Sequence, residues 1–564
     1  MTDPLSEPRR KLRRVGRAAE PTGPTPWRWP ILVLLPLLIA AGVVVQRHQD
    51  AQPAAIEAAS ADGFLPTASS PGASSSTWYC ASGTATGASS GVAEQTIQVA
   101  NDSDSSRTAR VTAFPSEGAS VTKPVAVPAH SRVDVAVSSL VKAPYAAALV
   151  EVDGGEVAVS HLLEGPTGRA VAACSSSPSS SWFIPSGTTR AGTSQLLALF
   201  NPFPSAAVAS VTFEADDGAR SPQNFDAIVV PGQSVTVLDI GATVTLRDQL
   251  ATTVSVRSGR LIVDQIQSAD GTQGTTKSLT VTPAASRGAT TWWFADGPAD
   301  AGTSTVFYVQ NPGDQAVDVE LAIRLDDTAT YGQVEPFEVS VPAGGYATID
   351  VTADGRVPAG VGYAAIAQSR SGAPIVADRV VGIGAPATAI GTTVMLGSPV
   401  LADRWIVPAA SFASASSARV IVTNASSTDS LTVTVSTVTD GRITPLPGMS
   451  NVEVAAGGRG GFDVPTGAKA PLVLVDVRGG SSAVVETKFV FTTGGHAAVL
   501  AVPVAGTNQV ATVVTPVAPV APEPSTTSST GSSTDASTTS SSDGSRPDGS
   551  TSLPTGTTPP GTRG

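Results

Sequence analysis

Two cysteines are the residues whose type and spacing point most directly to chemistry. Cys80 and Cys174 are the only cysteines in the 564 residues, and they bracket the first of four internal repeats. Two cysteines in an exported domain can form a disulfide, so we predict a structural disulfide between them. It would tie the first strand of that repeat to its exit. Two free thiols or a redox pair are the alternatives, and the spacing fits no metal motif.

A catalytic serine is suggested only formally. Residues 87–91 read Gly-Ala-Ser-Ser-Gly and match the nucleophile-elbow pattern around Ser89. That pattern requires a strand before it and a helix after it, whereas this stretch lies in a loop rich in Ser, Gly and Ala. The histidines are His48, His130, His161 and His496, and no two of them lie at metal-ligand spacing. We therefore predict no catalytic, cofactor-binding or metal-binding residue, and a protein that is not an enzyme.

An acidic residue recurs at one position in the last strand of three repeats. The residues at this position are Ser160, Asp264, Asp378 and Glu486. Their equal register indicates a repeated structural role. We predict either an edge-strand charge that blocks strand pairing or a salt bridge to the adjacent Arg379 or Lys488. A repeated cation or ligand site is the alternative.

The elements that position these residues belong to four repeats with landmarks in a fixed order. Each repeat opens on an aromatic residue, at Trp78, Trp182, Trp292 and Trp405. An asparagine follows, at Asn101, Asn201, Asn311 and Asn424. We expect the last three asparagines to shape turns rather than to bind ligands. Repeats of about 100 residues exceed solenoid periods and can each hold a core, so we predict four tandem domains.

Short alternating runs within a repeat predict strands. Residues 317–325 alternate apolar with mostly polar side chains, as in a sheet with one dry and one wet face. Turn signals at 216–218 and 440–441 predict hairpins. About seven short strands in roughly 105 residues is the size of an immunoglobulin-like sandwich. The predicted fold class is all-β: tandem immunoglobulin-like β-sandwich domains after a single N-terminal transmembrane helix.

Composition favours strands and disfavours one class of partner. Charged residues make up only 14% of the chain, and Ser, Thr, Ala, Val and Gly outnumber the helix formers, which favours strands and turns. The formal net charge of -12 disfavours a general nucleic-acid surface, so we predict no nucleic-acid partner.

The N-terminal region predicts a membrane anchor. Residues 1–26 carry six Lys or Arg, and residues 27–46 are apolar and just long enough to cross about 30 Å of hydrocarbon. The basic flank places the N-terminus in the cytoplasm and residues 47–564 outside the membrane. A cleaved signal peptide is the alternative, although no small-x-small site directly follows the apolar run.

These signals divide the chain into eight segments. They are a disordered basic cytoplasmic tail (1–26), a transmembrane signal anchor (27–46), a linker (47–76), four β-sandwich repeats (77–180, 181–290, 291–403 and 404–506) and a disordered Ser/Thr/Pro/Gly-rich tail (507–564). The last segment cannot bury enough apolar surface to fold.

The third repeat carries the clearest family resemblance. It has Trp-Trp-Phe-Ala-Asp-Gly at 292–297, Gln-Asn-Pro-Gly at 310–313, Val-Pro-Ala-Gly at 341–344 and Ile-Val-Ala-Asp-Arg at 375–379. This set resembles repeats in a bacterial family of unknown function, found in membrane-anchored actinobacterial envelope proteins. The resemblance covers about residues 77–506. It implies an exported β-sandwich array on a single anchor, with no assigned reaction and no catalytic residues to carry over.

The sequence therefore leads us to expect a non-enzymatic envelope protein that acts as a scaffold, spacer or protein-interaction module. Its expected partners are the membrane, through one helix, and envelope proteins or glycans, without a cofactor. One alternative is an envelope glycan-binding module, which predicts exposed aromatic residues on one face of a repeat. Another is an accessory subunit of envelope glycan or lipid assembly.

Overall fold

The structure is a computed structural model that describes residues 64–87, 91–408, 414–439, 441–467, 472–479 and 482–505. The predicted basic tail, the anchor at 27–46, the linker up to residue 63 and the C-terminal tail at 507–564 lie outside the described residues. Within the described ranges, no helix is long and apolar enough to span a bilayer. These ranges form four β-rich modules, one per repeat, within one compact body.

Modules 1 and 2 each consist of two antiparallel sheets. The strands of module 1 are β1 (Ser75–Cys80), β2 (Glu94–Asn101), β3 (Arg107–Pro115), β4 (Val121–Val127), β5 (Ser131–Ala136), β6 (Ala146–Asp153), β7 (Val157–Gly165) and β8 (Gly168–Ala173). Those of module 2 are β9 (Ser181–Ile184), β10 (Thr193–Asn201), β11 (Ala207–Ala215), β12 (Gly218–Arg220), β13 (Ile228–Val230), β14 (Ser234–Asp239), β15 (Leu250–Ser258), β16 (Ile262–Ala269) and β17 (Ser278–Pro283). Single 3-10 turns lie at Val137–Ser139 and Gln223–Phe225.

Modules 3 and 4 repeat this plan. The elements of module 3 are β18 (Thr291–Gly297), β19 (Thr303–Gln310), β20 (Val317–Leu325), α1 (Thr328–Tyr331), β21 (Phe337–Val341), β22 (Tyr346–Asp350), α2 (Val351–Asp354), β23 (Tyr363–Ser369), β24 (Val376–Ile383) and β25 (Gly391–Leu396). Those of module 4 are β26 (Arg404–Val407), β27 (Ala415–Asn424), β28 (Leu431–Thr439), β29 (Arg442–Pro445), β30 (Val452–Val454), β31 (Arg459–Val464), β32 (Val473–Arg478), β33 (Ala483–Phe491), β34 (His496–Leu500) and β35 (Val502–Pro503).

The second sheet has the same strand order in every module, whereas the first sheets of modules 2 and 4 carry additional short strands. We call the sheet that contains the opening tryptophan the first sheet, and in module 3 its order is β18-β23-β20-β21. The other sheet, the second sheet, has the order β22-β19-β24-β25 in module 3. The second sheets of the other modules are β5-β2-β7-β8, β14-β10-β16-β17 and β31-β27-β33-β34. In each of them the last strand lies at one edge.

The core of each module lies between its two sheets, because alternate side chains of a strand point to the same face. In module 3, Leu321 of the first sheet and Phe307 of the second belong to one buried cluster. The opening tryptophans are at most 2% exposed. Trp292 also donates its indole N–H to the carbonyl of Ile375 at 2.6 Å. The tryptophans are therefore core residues rather than surface aromatics.

The repeated asparagine binds two turns together. In module 3 the Nδ2 of Asn311 donates to the carbonyls of Gln315, Val341 and Pro342 at 2.6, 3.2 and 3.1 Å. Its Oδ1 accepts the Gly313 N–H at 2.9 Å. The asparagines of the other modules make bonds of the same kind. They shape turns, as the sequence predicts.

The four modules contact one another in a closed cycle. The strand β8 lies beside β17 and β34, and β25 lies beside the same two strands on the other side. The four edge strands of the second sheets thus surround a common axis. Exposed strand edges are sites of unwanted pairing, and this arrangement gathers four of them in the interior.

Candidate functional site

The candidate site is the set of interfaces that close the cycle. At each one, the residue after the opening tryptophan packs on the next module. Tyr79 packs in a cluster with Phe200 of module 2, and Trp293 shares a cluster with Ile421 of module 4. Ile406 of module 4 belongs to the cluster of module 1. The first sheet of one module therefore packs on the second sheet of the next, and module 4 returns to module 1.

Two buried aspartates join consecutive modules. Asp264 of module 2 accepts the Ala81 N–H at 3.0 Å and the Ser82 hydroxyl at 3.2 Å, both from module 1. Asp378 of module 3 accepts the backbone N–H and the hydroxyl of Ser186 of module 2, at 3.1 and 2.5 Å. In each case the donors lie within two residues of the end of the opening strand. We call this contact the carboxylate latch.

The third latch adds a cation. Glu486 of module 4 accepts the N–H groups of Ala295 and Asp296 at 2.6 and 3.2 Å. It also accepts a bond from the guanidinium of Arg379 at 3.0 Å, and both side chains are 2% exposed. Lys488 instead pairs with Asp296 at 3.3 Å. The third interface is therefore a charged network, whereas the first two depend on neutral donors.

The expected edge-strand role of these acids is wrong. They lie on β16, β24 and β33, and each of these strands is hydrogen-bonded to neighbours on both sides. The expected salt bridge exists in another form, because Arg379 bonds to Glu486 of the next module rather than to its chain neighbour Asp378. The repeated register reflects a repeated contact between modules.

Burial sets the charge state of the latches. It raises the pKa of Asp264 and of Asp378 to about 7, against the hydrogen bonds that favour the ionised form. Burial also raises the pKa of Glu486 despite Arg379. His161 lies 4.0 Å from Asp264, and burial lowers its pKa to about 4. The imidazole is therefore neutral at pH 7, and the contact is not an ion pair there.

The contact between modules 4 and 1, which we call the seam, is built differently. Ser160 stands at the position of the acid, and Pro408, which has no N–H, follows the opening strand of module 4. In their place, Arg404 donates from Nε and Nη2 to the Asp102 carboxylate at 2.9 and 3.0 Å. It also donates to Asp476 at 2.8 Å. Burial raises the pKa of Asp102 to about 6, although Arg404 opposes the shift.

Residues 64–74, which we call the strap, cross the seam. The N–H of Ala68 donates to the carbonyl of Pro503 at 2.9 Å, and its carbonyl accepts the Ala505 N–H at 2.7 Å. The carbonyl of the following residue accepts the Glu156 N–H of module 1 at 2.8 Å. The strap therefore bonds to both sides of the seam. It also places residues 68 and 505 side by side.

The axis holds a small apolar cavity of about 70 Å³. The strap contributes Phe64, Leu65 and Pro66 to its lining. The ring of Phe64 stacks against the guanidinium of Arg287 at 4.1 Å, and Leu65 packs on Val400. A space of this size holds a few water-sized molecules. The strap covers part of this cavity.

The structure joins Cys80 and Cys174 by a disulfide, with their Cα atoms 4.7 Å apart. Cys80 ends β1 of the first sheet, and Cys174 directly follows β8 of the second. The bond therefore joins the two sheets of module 1. The same junction carries a backbone bridge in modules 1, 2 and 3, at Tyr79 to Ser175, Phe183 to Ala285 and Trp293 to Ser398, and in module 1 the disulfide is added to it.

The described histidines that the sequence analysis considered, apart from His161, each bond to a separate partner. His48 and Ser89 lie outside the described residues. His130 bonds to Asp104 at 2.8 Å, and His496 bonds to the carbonyl of Ala389 at 2.7 Å. Among the residues that the structure describes, no group of three or more His, Cys, Asp or Glu is placed to hold a metal ion.

Sequence reasoning missed the partners of the repeated acids. Ser82 and Ser186 each follow their opening tryptophan by four residues, so a repeat alignment contains their signal. It also missed the pairing of Arg404 with Asp102, which lie 302 residues apart. The sequence offers one signal for it, which is the loss of the latch residues. The first repeat lacks the acid, and the last repeat has Pro408 after its opening strand, so the contact between these two repeats needs other partners.

Residues 164–381 match a family model described as "Family of unknown function (DUF5719)". A search of curated proteins found no match. Among solved structures, "Thermotoga maritima 1070" is 18% identical, over 20% of this chain and 94% of that one, with a TM-score of 0.18. The tetra-tandem repeat of a large adhesion protein is 12% identical, over 74% of this chain and 97% of that one, with a TM-score of 0.09. Similarities this low support no inference about function.

Proposed function

We propose that this chain is a non-enzymatic, membrane-anchored scaffold of the cell envelope. Its four immunoglobulin-like sandwiches would form one rigid interaction module outside the membrane, of the kind implied by the resemblance to actinobacterial envelope proteins. The observation that carries the proposal is the closed cycle of buried interfaces. Flexible spacers keep their domains independent, with small polar contacts between them, whereas this chain buries carboxylates between successive modules.

The chemistry of the latches supports a structural role over a catalytic one. The buried acids Asp264, Asp378 and Glu486 accept hydrogen bonds from the neighbouring module. An acid that serves a reaction has to reach substrate, and these carboxylates face protein donors instead. Their shifted pKa values follow from burial at an interface.

The position of the strap supports anchorage on one side. Residues 68 and 505 are hydrogen-bonded to each other, so a membrane anchor at 27–46 would hold the cycle from the strap end. The opposite end of the axis, with the turns between the last strands, would then face away from the membrane. It would be free to meet envelope proteins.

Affinity capture tests the interaction role. The tagged full-length chain, purified in mild detergent, is passed over peptidoglycan, envelope polysaccharide, lipid and solubilised membrane proteins, with the heat-unfolded chain as control. We expect specific membrane proteins to bind only the folded chain. Glycan binding that is lost in Tyr331→Ala or Phe203→Ala, which alter exposed aromatics of modules 3 and 2, would establish the glycan-binding alternative. Failure to bind any fraction would leave only a spacer.

Membrane fractionation tests the anchor separately. We expect the full chain to resist alkaline extraction and a variant without residues 27–46 to become soluble. External protease should cleave the full chain in intact cells. Alkaline release of the full chain would exclude the anchor without affecting the capture result.

A further inference from the structure

The seam has the design of an interface that a second copy of this chain can also form. It joins the first sheet of module 4 to the second sheet of module 1, as each of the other interfaces joins consecutive modules. The other three are bridged by the chain itself. The seam is the one interface whose two sides lie at opposite ends of the described sequence.

The closing contacts of the seam are specific to it. The residue before the opening tryptophan is Thr77, Ser181, Thr291 and Arg404 in modules 1 to 4. The residue after the repeated asparagine is Asp102, Pro202, Pro312 and Ala425. Only the pairing of module 4 with module 1 therefore brings Arg404 to an acid at this position. The charges identify module 1 as the correct partner of module 4 and disfavour the other modules.

Opening the seam would expose an apolar surface with one complementary partner. Ile406, Leu472 and Leu474 of module 4 are buried within the cluster of module 1. A second copy carries the same module 1 surface. Because the two sides of the seam differ, pairing between copies is head to tail: module 4 of each copy takes the place of module 4 in the other, so that each cycle still closes after four modules.

We propose that the seam is an exchange interface, at which module 4 of one copy can bind module 1 of a second copy when the strap releases. A two-fold axis parallel to the central axis would keep both straps on the same side, so both copies could be held by one membrane. Within a single chain, tethering gives an effective concentration on the order of millimolar. We therefore expect the wild-type chain to remain closed on itself at micromolar concentration.

Charge reversal distinguishes closure within a chain from exchange between chains. Arg404→Glu places an acid opposite Asp102, and Asp102→Lys places a cation opposite Arg404. Each single variant has a repulsive seam of its own, but mixing the two makes both seams between the copies attractive. The double variant restores attraction within one chain. Arg419→Glu, which alters an exposed pair inside module 4, is the matched control.

Native mass spectrometry of the full-length variants in detergent provides the readout. We expect a two-chain species in the mixture of single variants and one chain for the double variant and the control. A mixture that contains only the species of the separate variants, with near-ultraviolet circular dichroism unchanged, would overturn the proposal.

A variant of the strap provides a second measurement. It avoids Asp102→Lys, which places a cation in a buried site and can prevent folding. Ala68→Pro removes the N–H that bonds to Pro503 and leaves both charges of the seam intact. We expect its two-chain fraction to increase with concentration. If the charge-reversal variants do not fold, this variant decides the question. The proposal is then overturned if Ala68→Pro has the mass of one chain at every concentration.

Discussion

Asp264 is a carboxylate placed where its charge is costly. It is 2% exposed, and its donors are a backbone N–H and a hydroxyl. Removing a charge from water costs several kcal/mol unless a counter-charge compensates, so the folded protein favours the protonated acid. This cost explains why the pKa rises to about 7 although the hydrogen bonds act in the opposite direction.

The shift gives stability a defined pH dependence. Between the ordinary value of 3.8 and about 7, the folded chain retains a proton on Asp264 that the unfolded chain releases. The free energy of unfolding therefore falls as pH rises through this window. Asp378 contributes in the same direction. Above about pH 7 both states are ionised, and this contribution no longer changes.

Asp264→Asn should remove the contribution of this residue, because the amide oxygen can accept the same two bonds without a charge. We expect the variant to gain stability relative to wild type at pH 8 and to gain less at pH 5, where only part of this pH window has been crossed. Urea unfolding at both pH values provides the measurement. Asp463→Asn, at an exposed carboxylate, should leave the difference between the two pH values unchanged. An equal loss for Asp264→Asn at both pH values would contradict the charge-burial account.

The disulfide is a second residue-level constraint, and it acts within module 1. Its loop of 94 residues restricts the unfolded chain strongly, and removing a native disulfide typically costs about 2–5 kcal/mol, by a mechanism that is model-dependent. We expect Cys80→Ala/Cys174→Ala to increase hydrogen exchange in β1 and β8 and to leave module 3 unchanged. A uniform increase across all modules would show that the bond stabilises the whole cycle instead.

At the scale of elements, the asparagine that ends or directly follows each second strand sets the geometry of two turns. One side chain satisfies carbonyls that would otherwise be buried without a donor. In module 3 these carbonyls belong to the chain after β19 and to the end of β21, so Asn311 fixes the spacing between the two sheets. The turn chemistry and the packing of the sheets therefore depend on one residue.

Asn311→Ala tests this role. It leaves the carbonyls of Gln315, Val341 and Pro342 without their donor, and each buried group left unpaired costs about 1–3 kcal/mol. We expect the midpoint temperature of the first thermal unfolding transition to fall. We also expect the rate of amide hydrogen exchange to increase in β19 and β21. Asn224→Ala, which removes one exposed bond to Thr243, is the control and should change stability by less than about 0.5 kcal/mol. Equal effects would contradict a special role.

At the scale of the whole molecule, closure depends on the strap as well as on the modules. The strap bonds to module 4 and to module 1 across the seam, where the carboxylate latch is replaced by Arg404. The strap precedes the first repeat in sequence, so domain boundaries drawn from the repeat would omit it. A four-module fragment that begins at residue 77 therefore lacks part of its closing interface.

A full chain without residues 64–74 should open at the seam. We expect hydrogen exchange to increase in β26 and β32 and at residues 154–156. The interface of modules 1 and 2, where Asp264 remains bonded, should stay protected. Replacing the same stretch with a Gly/Ser segment of equal length controls for the length of the chain. Protection at the seam equal to that of the wild type would show that Arg404 and the apolar contacts suffice.

The sequence by itself determined the all-β class, the four repeats, the strand at 317–325 and the turn role of the asparagines. These are local properties, set by side-chain alternation and turn chemistry within a few residues. The equal register of Asp264, Asp378 and Glu486 also marked a repeated role. The nature of that role was not local, because the donors to Asp264 lie 182 and 183 residues away in the preceding module.

Only the tertiary structure decided that the modules close into a cycle. An apolar residue such as Tyr79 or Ile406 gives the same sequence signal whether it packs inside its own module or on the next one. The direction in which the pKa of a buried acid shifts also depends on the groups around it. The cations Lys488, Arg379 and Arg459 hold the pKa of Asp296 low despite burial. The pKa of Asp264, which has neutral donors, rises. Composition and spacing carry no record of such neighbours, because they are brought together only by folding.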